Sequence, residues 1–258
     1  MKKSLEVRKL NKAERQRLRI IVVLSDKGGV GKSVFARLLL QYFLDCNRPV
    51  IGCDCDRSNQ SLLDYYQRMV EVILAFFSED PKKAWKADFI LEAVLEHLKD
   101  IIVDTPAQVF RSVTAYLHQG GLKAAQQQGV EYLLFIVIAD RYSLEQFIDL
   151  VHEFGDDIPF LIALNKGCCD DFAFVEESDE FQSIIKSLKI PVITIPELPY
   201  REREIIDQYR LSFSEALQST DLTIVGRQRV ADFLSECFEQ LDDLNQLKEG
   251  DNGLSTNA

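Results

Sequence analysis

The sequence predicts a doubly wound α/β fold, a mostly parallel sheet with helices on both faces. Two observations carry this prediction. Short β-rich apolar runs alternate with helical patterns along the chain, the layout of successive βαβ units. Residues 133–139 form an apolar run with no polar interruption, which a strand needs when both of its faces are covered. The length of 258 residues suits one such domain, and 47% apolar with 28% charged residues is an ordinary globular balance.

The elements follow in order. Residues 20–24 read as a strand and 34–44 as a helix. Residues 50–55 read as the second strand, 62–77 and 87–98 as two helices, and 101–103 as a short strand. A long helical region then runs to about residue 128. Strand 133–139, helix 144–154, strand 160–164, helix 181–188 and strand 192–195 complete the alternation. The end is mostly helical, through residue 247. No repeat or linker divides the chain, so residues 18–247 read as one domain. A basic leader (1–17) precedes it, and a polar tail (248–258) follows that is expected to be disordered.

The net charge of −11 makes the chain a poor candidate for coating nucleic acid or anionic lipid. The charge is unevenly placed: residues 1–19 carry eight bases and two acids, a +6 arm on a body of −17. The longest apolar run, residues 132–139, is too short to span a bilayer, and the N-terminus lacks the apolar stretch of a secretory signal. Six cysteines then fit a reducing, cytoplasmic setting.

The strongest motif lies between the first strand and the first helix: Lys27-Gly28-Gly29-Val30-Gly31-Lys32-Ser33, continuing into Val34. Glycines in that context let backbone N–H groups close around phosphate oxygens, and the helix N-terminus adds its positive end. Lys32 is placed to pair with β- and γ-phosphates, and the Ser33 hydroxyl to ligate Mg²⁺. The pattern is not the ordinary phosphate loop, because Asp26 stands at its first glycine position and Lys27 adds a second lysine. Three further groups end strands: Asp54-Cys55-Asp56, Asp104-Thr105-Pro106 and Asn165-Lys166. Ligands of open parallel sheets bind at that carboxyl edge. Alternation sets Asp54 and Asp56 on one side of the second strand, and Cys53 and Cys55 on the other.

These four boxes, in this order, resemble the deviant Walker A ATPases of the ParA/MinD family, and the resemblance covers roughly residues 18–240. It implies a P-loop NTPase fold, ATP and Mg²⁺ as ligands, and a homodimer that closes on ATP. Lys27 would then reach across the interface to the partner's nucleotide, with Lys32 and Asp56 as the other catalytic groups. Asp56 would position or activate the attacking water. Ser33, Asp54 and Asp104 would serve the metal, and Asn165 with Lys166 would meet the adenine. Cys168 stands where a guanine-specific loop carries an acid, which favours ATP. The family further implies a protein partner that stimulates hydrolysis, with DNA often the surface held, as in plasmid partition, maintenance or transfer. Alternative readings are a metabolic ligase of the dethiobiotin-synthetase type, or a cluster-loading or adaptor ATPase.

Only 47 residues separate Asp56 from Asp104, which suggests two connecting helices and little room for an extra hairpin. Cys53 and Cys55 are accounted for as small apolar strand residues. His97, His118 and His152 have no ligand spacing. The C-terminal helix has an acidic polar face (Glu236, Glu239, Asp242, Asp243), which anionic lipid repels, so membrane attachment is not expected of it. Arg227 and Arg229 are the local bases offered there for DNA contact.

Overall fold

The computed structural model describes residues 17–248. The +6 arm (apart from its last residues) and the tail beyond Lys248 lie outside the described residues. Seven strands form one sheet: β1 (Leu18–Leu24), β2 (Val50–Asp54), β3 (Val72–Leu74), β4 (Asp100–Asp104), β5 (Val130–Ile138), β6 (Phe160–Asn165) and β7 (Val192–Ile195). Their order is β3-β2-β4-β1-β5-β6-β7, and every pairing is parallel. Parallel neighbours need crossovers, and helices supply them on both faces.

Alternation along each strand sorts the core into two layers. Ile20, Val22, Ile101 and Val103 face one layer with Leu134 and Ile136. Helices α3 (Asp88–His97), α4 (Phe110–Tyr116), α5 (Leu122–Gln128), α6 (Arg141–Phe154) and α8 (Asp179–Leu188) cover it, with the short α7 (Ala173–Glu176) beside α8. Ile21, Val23, Ile102, Phe135 and Val137 face the other. That layer is covered by α1 (Lys32–Asp45), α2 (Ser61–Tyr66), α9 (Tyr200–Tyr209), α10 (Phe213–Gln218) and α11 (Ile224–Asp242). The sheet is thus doubly wound, as the sequence predicts, and Leu133–Ile138 is buried throughout.

Two expectations need correction. The stretch 62–77 is not one helix. α2 stops at Tyr66, and Val72–Leu74 forms the edge strand β3 beside β2. The unpaired edge of β2 is the reason: Gly52 N–H donates to Glu71 (2.9 Å) and Ala75 N–H to Asp54 (3.2 Å). Partners for exposed strand amides outweigh a helical period over β-branched residues. The connection therefore does hold an extra strand. The long helix after Pro106 is likewise broken, because Gly120 adopts φ 117°, a left-handed kink that separates α4 from α5.

The apolar face of α11 (Val230, Phe233, Leu234, Cys237, Leu241) is buried against the sheet, and Glu236 and Glu239 point outward. No described helix is long and apolar enough to cross a membrane.

Candidate functional site

β1 delivers the phosphate loop to the carboxyl edge of the sheet, and α1 starts at Lys32 directly behind it. Gly31 caps that helix at φ 94° and leaves no room for a side chain, since a Cβ there would lie 2.1 Å from the Asn165 amide nitrogen. Both constraints demand glycine. Val30 is buried in the core, so the loop is pinned between its two left-handed glycines, Gly29 and Gly31.

The two lysines behave differently. Lys32 is buried and folds back, donating from Nζ to the carbonyl of Lys27 at 2.8 Å. Burial lowers its pKa, while Asp104, Asp26 and Asp56 pull the other way. Lys27 is exposed and turns outward, forming an ion pair with Asp140 at the start of α6. Asp140 is also the N-cap of that helix, in a capping box with Ser143. Burial works against its charge, yet the bonds from Lys27 and Ser143 hold its pKa below the usual carboxylate range.

The acids at the strand ends differ as much. Asp54 and Asp104 are register neighbours on β2 and β4, both fully buried on the α1 face. Asp54 is committed to local structure: it accepts the Leu62 and Leu63 amides at 3.2 and 2.6 Å, which caps α2. Burial raises its pKa to about 6. Asp104 lies against the Ser33 hydroxyl, but neither of its oxygens has a well-formed hydrogen bond. Burial first, then the Asp54 charge, raises it to about 7. A buried carboxylate with both oxygens orphaned is costly unless something electropositive meets it. Oxygen donors from Asp104 and Ser33 suit Mg²⁺, which keeps waters and phosphate oxygens as its other ligands. No group of three or more His, Cys, Asp or Glu is assembled among the described residues.

Asp56 is half-buried and folded into a turn, its Oδ1 accepting from the Ser58 amide (2.8 Å), the Ser58 hydroxyl (2.6 Å) and the Asn59 amide (3.3 Å). Asn165 is buried, with Nδ2 donating to Val30 O (2.8 Å) and Oδ1 accepting from Gly167 N–H (3.0 Å). In this conformation it braces the phosphate loop, and Lys166 beside it is exposed. Cys168 Sγ approaches Gly29 O at 3.3 Å, while Cys53 and Cys55 are buried in the core.

Two residues of the site were not anticipated. Asp140 is one. Asp26 is the other: it ties the loop to the segment after Asp104, accepting the Phe110 amide on Oδ1 (3.0 Å) and the Gln108 amide on its carbonyl (2.8 Å). Thr105 strengthens the same junction by donating to Val23 O at 2.6 Å.

Residues 21–210 match the model of the CobQ/CobB/MinD/ParA nucleotide binding domain. The chain belongs to that family. Two proteins named TraL from Escherichia coli are 28% and 27% identical over 235 and 239 residues. Each alignment covers 87% of this chain and 97% of the relative. Similar solved structures include the MinD cell division protein of Aquifex aeolicus (15% identity, 86% of this chain, 97% of that one, TM-score 0.49). A putative plasmid partition protein from Borrelia burgdorferi B31, bound to AMPPNP, is 17% identical, with 86% and 99% coverage and a TM-score of 0.48. At those scores the fold rests on the strand order itself and on the family match.

Proposed function

We propose that the chain is an ATPase that dimerises on binding ATP and couples hydrolysis, stimulated by a protein partner, to positioning DNA in plasmid partition, maintenance or transfer. Family membership supports the nucleotide. The observation that carries the dimer is the division of labour between the lysines. Lys32 turns into its own loop, whereas Lys27 turns out to the surface, where a facing copy would meet it. A cation delivered from a second subunit offsets triphosphate charge and ties dimerisation to the nucleotide.

In this reading the amides from Gly28 to Val34 cradle the phosphates, Lys32 neutralises them, and Asn165 with Lys166 flanks the base. Ser33 and Asp104 would hold Mg²⁺, with Asp54 behind them through water. When bound, Mg²⁺ supplies charge neutralisation at the phosphates. Asp56 orients the attacking water once its carboxylate leaves the Ser58–Asn59 turn. Lys27 must leave Asp140 before it reaches a second copy. Arg227 and Arg229 are poor DNA contacts. Arg227 donates to Ser219 O and Leu222 O, and Arg229 pairs with Glu202.

Sedimentation with and without ATP and Mg²⁺ tests the proposal. The wild type should shift from monomer to dimer with ATP, and Lys27→Ala should stay monomeric. A wild type that is monomeric at every ATP concentration overturns it.

A further inference from the structure

On the α3 face of the sheet, beside the catalytic edge, lies a cavity of about 350 Å³. Arg57, Lys83 and Lys86 converge on it, Phe76 and Phe77 supply apolar wall, and Pro106 closes one side. Among the described residues, no carboxylate lines it. Lys83 pairs with Asp80 at 3.4 Å, but Arg57 and Lys86 have no acidic partner among the described residues. The Arg57 guanidinium lies 4.1 Å from the centre of the Phe76 ring, which leaves its N–H edge free to meet a carboxylate. In a chain of net charge −11, unbalanced cations gathered in a concave site focus an anion there.

The neighbouring surface fixes the class of ligand. Trp85 is 54% exposed and Phe89 46%, with ring centroids 5.8 Å apart, on the short helical turn Pro81–Ala87 and the start of α3. Lys86 links them to the cavity, its ammonium 6.0 Å from the centre of the Trp85 ring, and exposed aromatics are frequent anchors of protein interfaces.

We propose that this cationic cavity and the Trp85–Phe89 shelf dock an acidic segment of a protein partner, one carboxylate entering between Arg57 and Lys86 and an apolar side chain covering the shelf. Such a segment would press on Arg57, the neighbour of Asp56. Only this last point rests on the ATPase reading.

Trp85 is the single tryptophan of the chain, so its emission reports on this site. The full chain, without nucleotide, is titrated with a short peptide of glutamates ending in phenylalanine. The same peptide with glutamines and a single-stranded thymidine oligonucleotide are the comparisons. The acidic peptide should shift Trp85 emission saturably, and Arg57→Gln combined with Lys86→Gln should weaken it roughly tenfold or more with an unchanged thermal melt. The glutamine peptide should leave the emission unchanged. No response to the acidic peptide, equal binding by the double variant, or tighter binding of the oligonucleotide overturns the proposal. Because nucleotide is absent, failure here leaves ATP-dependent dimerisation standing, and the reverse also holds.

Discussion

Gly31 and Asp104 show how single residues are forced by the site. At Gly31, a methyl group meets the Asn165 amide at 2.1 Å on a backbone of φ 94°. Gly31→Ala should therefore cost about 2 kcal/mol or more and abolish nucleotide binding, as urea melts and a nucleotide titration will show. At Asp104, burial raises the pKa from an ordinary carboxylate value to about 7. The folded state then holds a proton that the unfolded chain has lost, so this group's contribution to stability falls as pH rises from about 4 to about 7. Asp104→Asn should raise the unfolding free energy of the nucleotide-free protein at pH 8 by on the order of 1–3 kcal/mol, measured by denaturant unfolding. If Asp104 holds Mg²⁺ as proposed, a proton competing for the same oxygens should make Mg²⁺-dependent nucleotide binding strengthen as pH passes about 7. Calorimetry across pH should show that rise in the wild type and lose it in Asp104→Asn. Lys27, Lys32 and Asp104 were visible in the sequence because each belongs to a local box. Asp140 was not, since it lies 113 residues from Lys27 and its spacing to Ser143 announces only a helix cap.

Among the elements, α2 is the most dependent on one side chain. It is six residues long, and the Asp54 carboxylate holds its first amides. Asp54→Ala should cost about 1–3 kcal/mol and speed hydrogen exchange at Leu62 and Leu63, with Asp54→Asn milder because it keeps an acceptor. The same segment shows why part of the connection was misread. Residues 62–77 carry a helical period, but β2 offers unpaired backbone and Gly52 lets Val72 approach closely, a Cβ there lying 3.2 Å from Val72 Cγ2. Local pattern records the preference of a segment, whereas the edge of a distant strand decides its use.

At the scale of the whole molecule, one buried arginine joins the two ends of the described chain. Arg19 is 2% exposed at the amino edge of the sheet, bonded to Asp100 (3.3 Å) and to the carbonyls of Leu247 (3.1 Å) and Lys248 (2.5 Å). Arg48 shares Asp100 at 3.4 Å. Burial lowers the pKa of Arg19 and raises that of Asp100, so each charge depends on the other. Arg19→Met should destabilise the fold by about 3 kcal/mol, measured by denaturant unfolding, because it leaves the buried Asp100 carboxylate with only Arg48 and the residue-19 amide and removes the donors of the Leu247 and Lys248 carbonyls. The clamp sits at the edge opposite the phosphate loop, so nucleotide affinity should change little in the folded fraction. The acidic face of α11 also takes its meaning at this scale. Its apolar side is used by the core, which leaves the acids at the surface.

The fold class, the phosphate loop and the three strand-end boxes were determined by the sequence alone, because hydrophobic period and strand-to-helix glycine spacing are properties of contiguous residues. Tertiary structure decided which lysine faces outward, which acid is a cap and which is an orphan, and that Asn165 braces the loop it follows by more than a hundred residues. Those outcomes depend on groups far apart in the chain that the winding of the parallel sheet delivers to one edge.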